Sequence, residues 1–269
     1  MKSKPTLRRG MAPPISLKIE VKEKKTNLSD AVYAGIKKAI VTGNIEPGSW
    51  LQEEQIAQQL SISRTPVREA INRLHGEGLL IPVYRMGWMT IDLKSDQLDS
   101  LYEVREKVEL AFFDSSAGNL SLDEYKSYKD RFLAIKSDLE KTNQNKDLFE
   151  KTRLNMMDVD RSFHDHLIIA SGNEYWIKFY MQIRDLINIS IIKYTLSAEN
   201  IFCALSEHIE ILDRLIDNDV DQARELMLNH IHRIWLSVGA NCKKEQIMVL
   251  RKEFSHSSAV EFKSKESAP

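Results

Sequence analysis

The sequence predicts a mainly α-helical fold, in which three helices and a β-hairpin are followed by an all-α antiparallel bundle of six or seven helices. Three observations support this prediction. Apolar residues recur at helical spacing along most of the chain. Runs with β propensity are confined to residues 79–91, and no strand pattern follows residue 94. The 269 residues, 42% of them hydrophobic, are enough for one large or two modest domains.

The N-terminal elements are predicted from caps, apolar spacing and turn residues. Ser29 can cap a first helix, which ends in the turn around Pro47. Ser63 can cap a third helix, which tolerates Pro66 because a missing N–H is harmless in the first turn. In chain order we expect a helix from about 29 to 43, helices over 53–60 and 63–75, and a hairpin of strands 79–83 and 88–91.

The second half of the chain shows helical patterns only. We expect helices over 98–118, 122–142, 146–171, 173–197, 199–217 and 219–241. These elements divide the chain into four regions: a flexible basic lead-in over 1–27, a domain of three helices and a hairpin over 28–92, an all-helical domain over 93–242, and a disordered tail over 243–269.

Charge and composition narrow the class of protein. Residues 1–92 carry 14 basic and 9 acidic side chains, a net charge of +5, whereas residues 93–269 carry 24 and 30, a net charge of −6. Such asymmetry suggests that one domain faces nucleic acid. No apolar run is long enough for a membrane span or a signal peptide, so we expect a cytoplasmic protein with no membrane partner. Two cysteines are too few for a disulfide framework.

The third predicted helix has one polar and one apolar face. At 100° per residue, the polar face carries Arg64, Thr65, Arg68 and Asn72, which lie within about a 100° arc. Guanidinium and amide groups can fork onto guanine and adenine in the major groove of DNA. The alternative is an ordinary solvated face on a small helical core, but the hairpin and the two preceding helices favour DNA recognition.

Residues 28–91 resemble the winged helix-turn-helix domain of the GntR family of bacterial transcription regulators. The segments that carry the resemblance are 43–48 (GNIEPG), 63–70 (SRTPVREA), 74–79 (LHGEGL) and 85–87 (RMG). The resemblance implies that Arg64, Thr65 and Arg68 contact DNA, and that a wing around Arg85 and Gly87 reaches toward the minor groove. Glu54 departs from the family pattern, because many relatives carry a phosphate-contacting Arg there.

Four titratable residues lie on inward faces of three predicted helices. Asp160 and His164 are one turn apart beside an apolar stripe, and His208 and His230 lie on two later stripes. A single histidine on an apolar face is more often a hydrogen-bonded core residue than a ligand. Together, however, a carboxylate and three neutral imidazoles form a ligand set suited to zinc, nickel or another divalent metal ion.

The second half is similar to the all-helical effector domain of the FadR subfamily, the FCD type. The two resemblances imply that residues 28–92 form the DNA-binding domain and that residues 93–242 form an effector-binding, metal-binding and dimerisation domain. The similar segments are 102–105 (YEVR), 160–164 (DRSFH), 171–173 (SGN), 207–208 (EH) and 221–224 (DQAR). In metal-binding members an Asp, a His four residues later and two further His hold the ion, and all four positions are filled here. Arg105, which shares its face with Tyr102, could clamp a carboxylate effector, or form an ion pair with Glu109. We count all three as effector-binding candidates.

The leading hypothesis is a metabolite-responsive transcription regulator without enzymatic activity. By resemblance it would be a repressor, a homodimer that binds a palindromic operator in double-stranded DNA and responds to a small organic acid held with the metal ion. One alternative is a metal-dependent hydrolase, in which the same four residues activate a water molecule. Another is a purely structural metal ion that braces the bundle.

Overall fold

A computed structural model describes residues 27–238 of the chain, apart from 117–118, 143–144 and 193. The predicted lead-in before Asn27 and the predicted tail lie outside the described residues, as do residues 239–242 of the predicted effector domain. The helices are α1 (Leu28–Val41), α2 (Glu53–Gln59), α3 (Arg64–Gly76), α4 (Ser95–Ser116), α5 (Leu122–Glu140), α6 (Lys146–Ala170), α7 (Glu174–Ser190), α8 (Ala198–Ile216) and α9 (Val220–Ser237). The strands are β1 (Trp50–Leu51), β2 (Leu80–Val83) and β3 (Gly87–Thr90). The predicted class, a mainly helical fold with a small sheet, is confirmed.

Helices α1 to α3 form as predicted, with two corrections at their caps. Asn27, not Ser29, is the N-cap of α1, since the Asn27 side chain accepts a hydrogen bond from the backbone N–H of Ser29. Ser29 itself is buried within the first turn. Ser63 does occupy the N-cap position of α3, but its side chain makes no capping hydrogen bond. Packing holds α3 in place, because Val67 and Leu74 are fully buried in the N-terminal core and α3 contacts both α1 and α2.

The predicted hairpin is part of a three-stranded antiparallel sheet in the order β1-β3-β2. The additional strand β1 pairs Trp50 with Met89, and its two residues are too few to produce an alternating sequence pattern. Gly87 is required next to β1: its φ is +104°, and a Cβ atom there would lie 2.8 Å from the Leu51 carbonyl oxygen. The wing is thereby fixed to the rest of the N-terminal domain.

The bundle helices begin and end within a few residues of the predicted positions, except near residue 190. The predicted helix over 173–197 is wrong at its C-terminal end: α7 ends at Ser190, and a separate 3-10 turn covers Tyr194–Leu196. The chain tightens there because the N–H of Ile192 bonds to the Ile189 carbonyl oxygen. After this break in the helix, the Ile192 side chain packs into the core of the N-terminal domain.

The core of the N-terminal domain is completed by residues of the bundle, and we call this cluster the shared core; the larger core of the bundle is separate from it. Met157 from α6, with Ile189 and Ile192 from the end of α7, packs in the same cluster as the buried residues of α1 to α3. Two polar contacts flank this cluster. Lys37 of α1 lies 2.7 Å from the Asp185 carboxylate, and Arg153 of α6 donates a 3.3 Å hydrogen bond to the carbonyl oxygen of Thr42 at the end of α1. The N-terminal domain therefore packs on α7 and also contacts α6, the helix that carries Asp160 and His164.

None of the helices in the described part of the chain is both long enough and apolar enough to cross a membrane.

Candidate metal centre and DNA interface

The structure brings together the four predicted metal ligands. Asp160 and His164 project from α6, His208 from α8 and His230 from α9, and one candidate ligand atom from each lies within 4.8 Å of all the others. His208 Nε2 is 3.2 Å from Asp160 Oδ1 and 3.3 Å from His164 Nε2. All three imidazoles are buried, and Asp160 is 9% exposed. The cluster thus has the donor atoms and the dimensions of a mononuclear metal site.

In each of the three histidines, Nδ1 points away from the centre of the cluster toward an oxygen atom, so that Nε2 faces the centre. His208 Nδ1 lies 2.7 Å from the Ala204 carbonyl oxygen, and His230 Nδ1 lies 2.7 Å from Glu207 Oε2. His164 Nδ1 lies 3.0 Å from Glu109 Oε2. Because the partners of His208 and His230 accept hydrogen bonds, their Nδ1 atoms carry the proton and their Nε2 atoms present a lone pair to the centre. The Glu109 carboxylate lies at ion-pair distance from His164 Nδ1, so it favours a proton on that nitrogen.

The buried environment favours the ligand forms of Asp160, His208 and His230. Burial lowers the pKa of His208 to about 4, and burial together with His208 holds the pKa of His230 well below its usual range. Burial raises the pKa of Asp160, but the neighbouring histidines lower it more, so it lies below its usual range. For His164, burial lowers the pKa and the Glu109 carboxylate raises it more, so a proton competes best for this imidazole.

Arg105 makes the ion pair with Glu109 that the sequence offered as one of two alternatives. Its Nε donates a 2.8 Å hydrogen bond to Glu109 Oε1, and its side chain is only 3% exposed. Burial raises the pKa of Glu109, but Arg105 and His164 lower it more, to about 2, so this carboxylate is ionised. Arg105 Nη1 is buried and has no hydrogen-bond partner among the described residues. The pair therefore leaves one guanidinium donor for a further acceptor.

Tyr102, the third effector-binding candidate, is held by neighbours within the bundle. It is fully buried, its hydroxyl lies 3.0 Å from Ser190 Oγ, and its ring stacks on Trp235. A cavity of about 20 Å³ adjoins Asp160, and another of about 10 Å³ adjoins Glu109 and His164. Each volume corresponds to about one water-sized sphere. An organic acid would therefore need lining side chains to move before it could enter.

The predicted DNA-reading residues of α3 share one exposed face. The Arg64 and Arg68 side chains are 56% and 59% exposed, and Thr65 and Asn72 are exposed beside them. The opposite face of α3 consists of buried apolar residues. In the wing, Arg85 lies at the exposed tip with a left-handed φ of +60°, close to Gly87. Both groups thus stand on the surface as the sequence predicts.

Comparison with known proteins identifies the family to which the chain belongs. Residues 28–89 match the family model described as bacterial regulatory proteins of the gntR family, and residues 100–233 match the model of the FCD domain. The chain belongs to the GntR family, in its FCD class. This GntR regulator is 29% identical over 195 residues to the Nta operon transcriptional regulator of Aminobacter aminovorans, covering 72% of this chain and 86% of that protein.

Other relatives of this GntR regulator carry similar names. It is 26% identical over 209 residues to the gluconate operon transcriptional repressor of Bacillus licheniformis, covering 75% of this chain and 79% of the repressor. A GntR transcriptional regulator from Rhodococcus sp. RHA1 has the same fold, with a TM-score of 0.64 at 19% identity over 79% of this chain and 98% of that one. Escherichia coli McbR/YncC gives a TM-score of 0.61 at 18% identity over 86% and 100%. The chain is accordingly a transcriptional regulator that combines a GntR DNA-binding domain with an FCD domain.

Two polar contacts of the site were not predicted from the sequence. Glu207 was noted only as part of a motif, yet its Oε2 accepts from His230, and both of its oxygens contact Arg233. Glu109 was predicted to face an effector, yet it also orients His164. The spacing of Glu207 and Arg233, on different helices, gives no local pattern that would link them.

Proposed function

We propose that this regulator holds a divalent metal ion, zinc or nickel, through Asp160, His164, His208 and His230. The observation that carries the proposal is the orientation of lone pairs. His208 Nε2 faces both His164 Nε2 and Asp160 Oδ1 at 3.2 to 3.3 Å, while the Nδ1 atoms are taken up by acceptors. Acceptor atoms at such distances repel one another unless a positive charge lies between them. Without metal, the raised pKa of His164 lets a proton take that place, and a bound divalent ion would displace that proton. His230 Nε2 supports the same reading, because it is buried without a hydrogen-bond partner in the described structure.

The effector is a small carboxylate. Asp160 and a divalent ion leave a local charge of about +1, and four protein ligands leave a nickel or an expanded zinc site open to further oxygen atoms. The buried Nη1 of Arg105, which has no hydrogen-bond partner among the described residues, supplies a donor for the same anion. Names of relatives favour a regulator over the metal-dependent hydrolase that the sequence left open.

The N-terminal domain binds a palindromic operator as part of a homodimer, each copy reading one half-site. Exposed Arg64, Thr65, Arg68 and Asn72 supply the major-groove contacts, and Arg85 and Gly87 those of the wing. The regulator acts as a repressor, as the names of the gluconate operon repressor and of Escherichia coli GlaR state for those relatives.

Helix α6 couples the two sites. It carries Asp160 and His164 and, two turns earlier, Arg153, which holds the carbonyl oxygen of Thr42 at the end of α1. Because α1 packs along α3, a displacement of α6 on acid binding reaches the recognition helix. The acid must bind the two arrangements with different affinities for this coupling to operate.

A thermal-shift screen tests the metal and acid sites together. Small mono- and dicarboxylates are added to metal-loaded and metal-stripped protein, and to an Arg105→Ala variant whose metal content has been measured. We expect metal to raise the melting temperature, and one class of acid to raise it further only in metal-loaded wild-type protein. An equal acid effect in stripped protein would contradict the shared site, and wild-type protein that retains no divalent ion would contradict the metal site.

A further inference from the structure

Glu53 lies between the recognition helix and the wing. It is the first residue of α2, and its side chain is only 15% exposed. Its Oε2 accepts a 3.1 Å hydrogen bond from Arg68 Nε and lies 3.7 Å from Arg64 Nη2. Its Oε1 accepts a 3.4 Å hydrogen bond from the indole N–H of Trp88 in β3. One carboxylate therefore contacts both arginines of α3 that are predicted to read DNA, and the strand that carries the wing.

The contact to Arg68 determines which donors remain for DNA. With Nε bound to Glu53, the two terminal nitrogens of the guanidinium stay available, and these form the parallel fork that matches guanine O6 and N7. An exposed arginine without such a partner samples many rotamers, and ordering it on binding costs roughly 2 kcal/mol of side-chain entropy. Glu53 restricts that freedom before DNA arrives.

The negative charge of Glu53 has a second effect. A carboxylate close to the DNA surface repels phosphates wherever the protein lies on the duplex, so it weakens sequence-independent binding. Orientation of Arg68 helps only where a guanine is correctly placed. The two effects act in the same direction on the ratio of operator affinity to non-specific affinity.

We propose that Glu53 is a positioning residue for sequence-specific DNA recognition, which orients Arg68, and with it Arg64, toward guanine while limiting binding to unrelated DNA. The inference rests on the proposed operator binding and deepens it. It assigns specificity to a residue that itself faces α3 rather than a base.

The neighbouring Glu54 offers a matched control. Glu54 is exposed on the same helix turn and makes no ion pair in the described part of the chain. Glu54→Gln removes the same charge from almost the same place without touching Arg64 or Arg68. Any effect that arises from charge alone should therefore appear in both Glu53→Gln and Glu54→Gln.

The experiment compares three duplexes of equal length by fluorescence-anisotropy titration at fixed salt. They are the operator that wild-type protein selects from a random pool, the same operator with 7-deazaguanine at its guanines, and an unrelated sequence. For Glu53→Gln we expect about a tenfold lower ratio of operator to unrelated affinity, and a smaller penalty for 7-deazaguanine than in wild-type protein. For Glu54→Gln we expect both affinities to rise together, with the ratio unchanged.

Glu53→Asp separates orientation from charge, since it keeps the carboxylate but shortens its reach, and it should lower the ratio as Glu53→Gln does. Glu53→Asp also replaces Glu53→Gln as the test variant if melting curves show that Glu53→Gln does not fold. A wild-type ratio in both Glu53 variants would overturn the inference while leaving operator binding intact. Tighter operator binding by Glu53→Gln at an unchanged ratio would also overturn it, because Glu53 would then merely obstruct DNA. If wild-type protein selects no sequence, the proposed DNA-binding function itself fails, and the inference with it.

Discussion

Gly43→Ala should destabilise the protein through the contact between the two domains. Gly43 has a φ of +81°, and an L-residue in this left-handed conformation costs about 1 kcal/mol. The new Cβ would also lie 2.7 Å from Ile192 Cγ2. Ile192 is buried in the shared core, so its displacement adds the roughly 1–3 kcal/mol typical of overpacking. We therefore expect a loss of about 2–4 kcal/mol in the free energy of unfolding.

Gly78→Ala separates the backbone contribution from the packing contribution. Gly78 has a similar φ of +76°, but nothing lies within 4 Å of its added Cβ, so only the backbone cost of about 1 kcal/mol remains. Urea unfolding followed by circular dichroism measures both variants. In an Ile192→Ala background, which removes Cγ2, the cost of Gly43→Ala should fall to that of Gly78→Ala. Equal costs for the two glycine variants in the wild-type background would refute the close approach of Ile192 to α1.

Three further predictions concern contacts of other kinds. Arg68→Ala should weaken operator binding by about 1–3 kcal/mol at fixed salt in a gel-shift titration, with an unchanged melting temperature; undiminished affinity would contradict the recognition-helix assignment. His208→Ala should lower the bound metal found by elemental analysis, and full occupancy would argue against the four-ligand site. Among the described residues, Lys37→Met leaves the buried Asp185 carboxylate with only the longer contacts of 3.5 Å to Arg184, so urea unfolding should show a loss of about 1–3 kcal/mol. Lys38→Met is the control, and we expect it to lose less free energy of unfolding than Lys37→Met.

The sequence predicted the elements whose signal is local. Helix α8 is an example, because its buried residues follow one stripe at helical spacing, and His208 lies on that stripe. The same periodicity placed Asp160 and His164 together, and placed Arg68 opposite the apolar face of α3. Side chains on one helix share a face as a matter of geometry, so no tertiary information is needed.

What the sequence did not reveal depends on distant residues. Strand β1 forms because Trp50 pairs with Met89 of β3, a partner that its own two residues do not specify. Helix α7 ends at Ser190 although apolar spacing continues beyond it, because Ile192 packs into the core of the N-terminal domain. Glu53, on α2, meets Arg68 on α3 only after the two helices have packed.

The +5 and −6 charges of the two segments suggest separate bodies, but the contacts between them lead to a different view of regulation. Lys37, a basic residue of the positive segment, is directed at Asp185 of the negative segment rather than at DNA. The same Lys37 bonds to Glu77, which caps the C-terminal end of the recognition helix α3. Since Asp185 lies on α7 beside the shared apolar core, displacing α7 would disturb an ion pair at the base of α3. We therefore expect any coupling between the proposed effector site and α3 through this joint to involve Lys37, Asp185 and the shared core together.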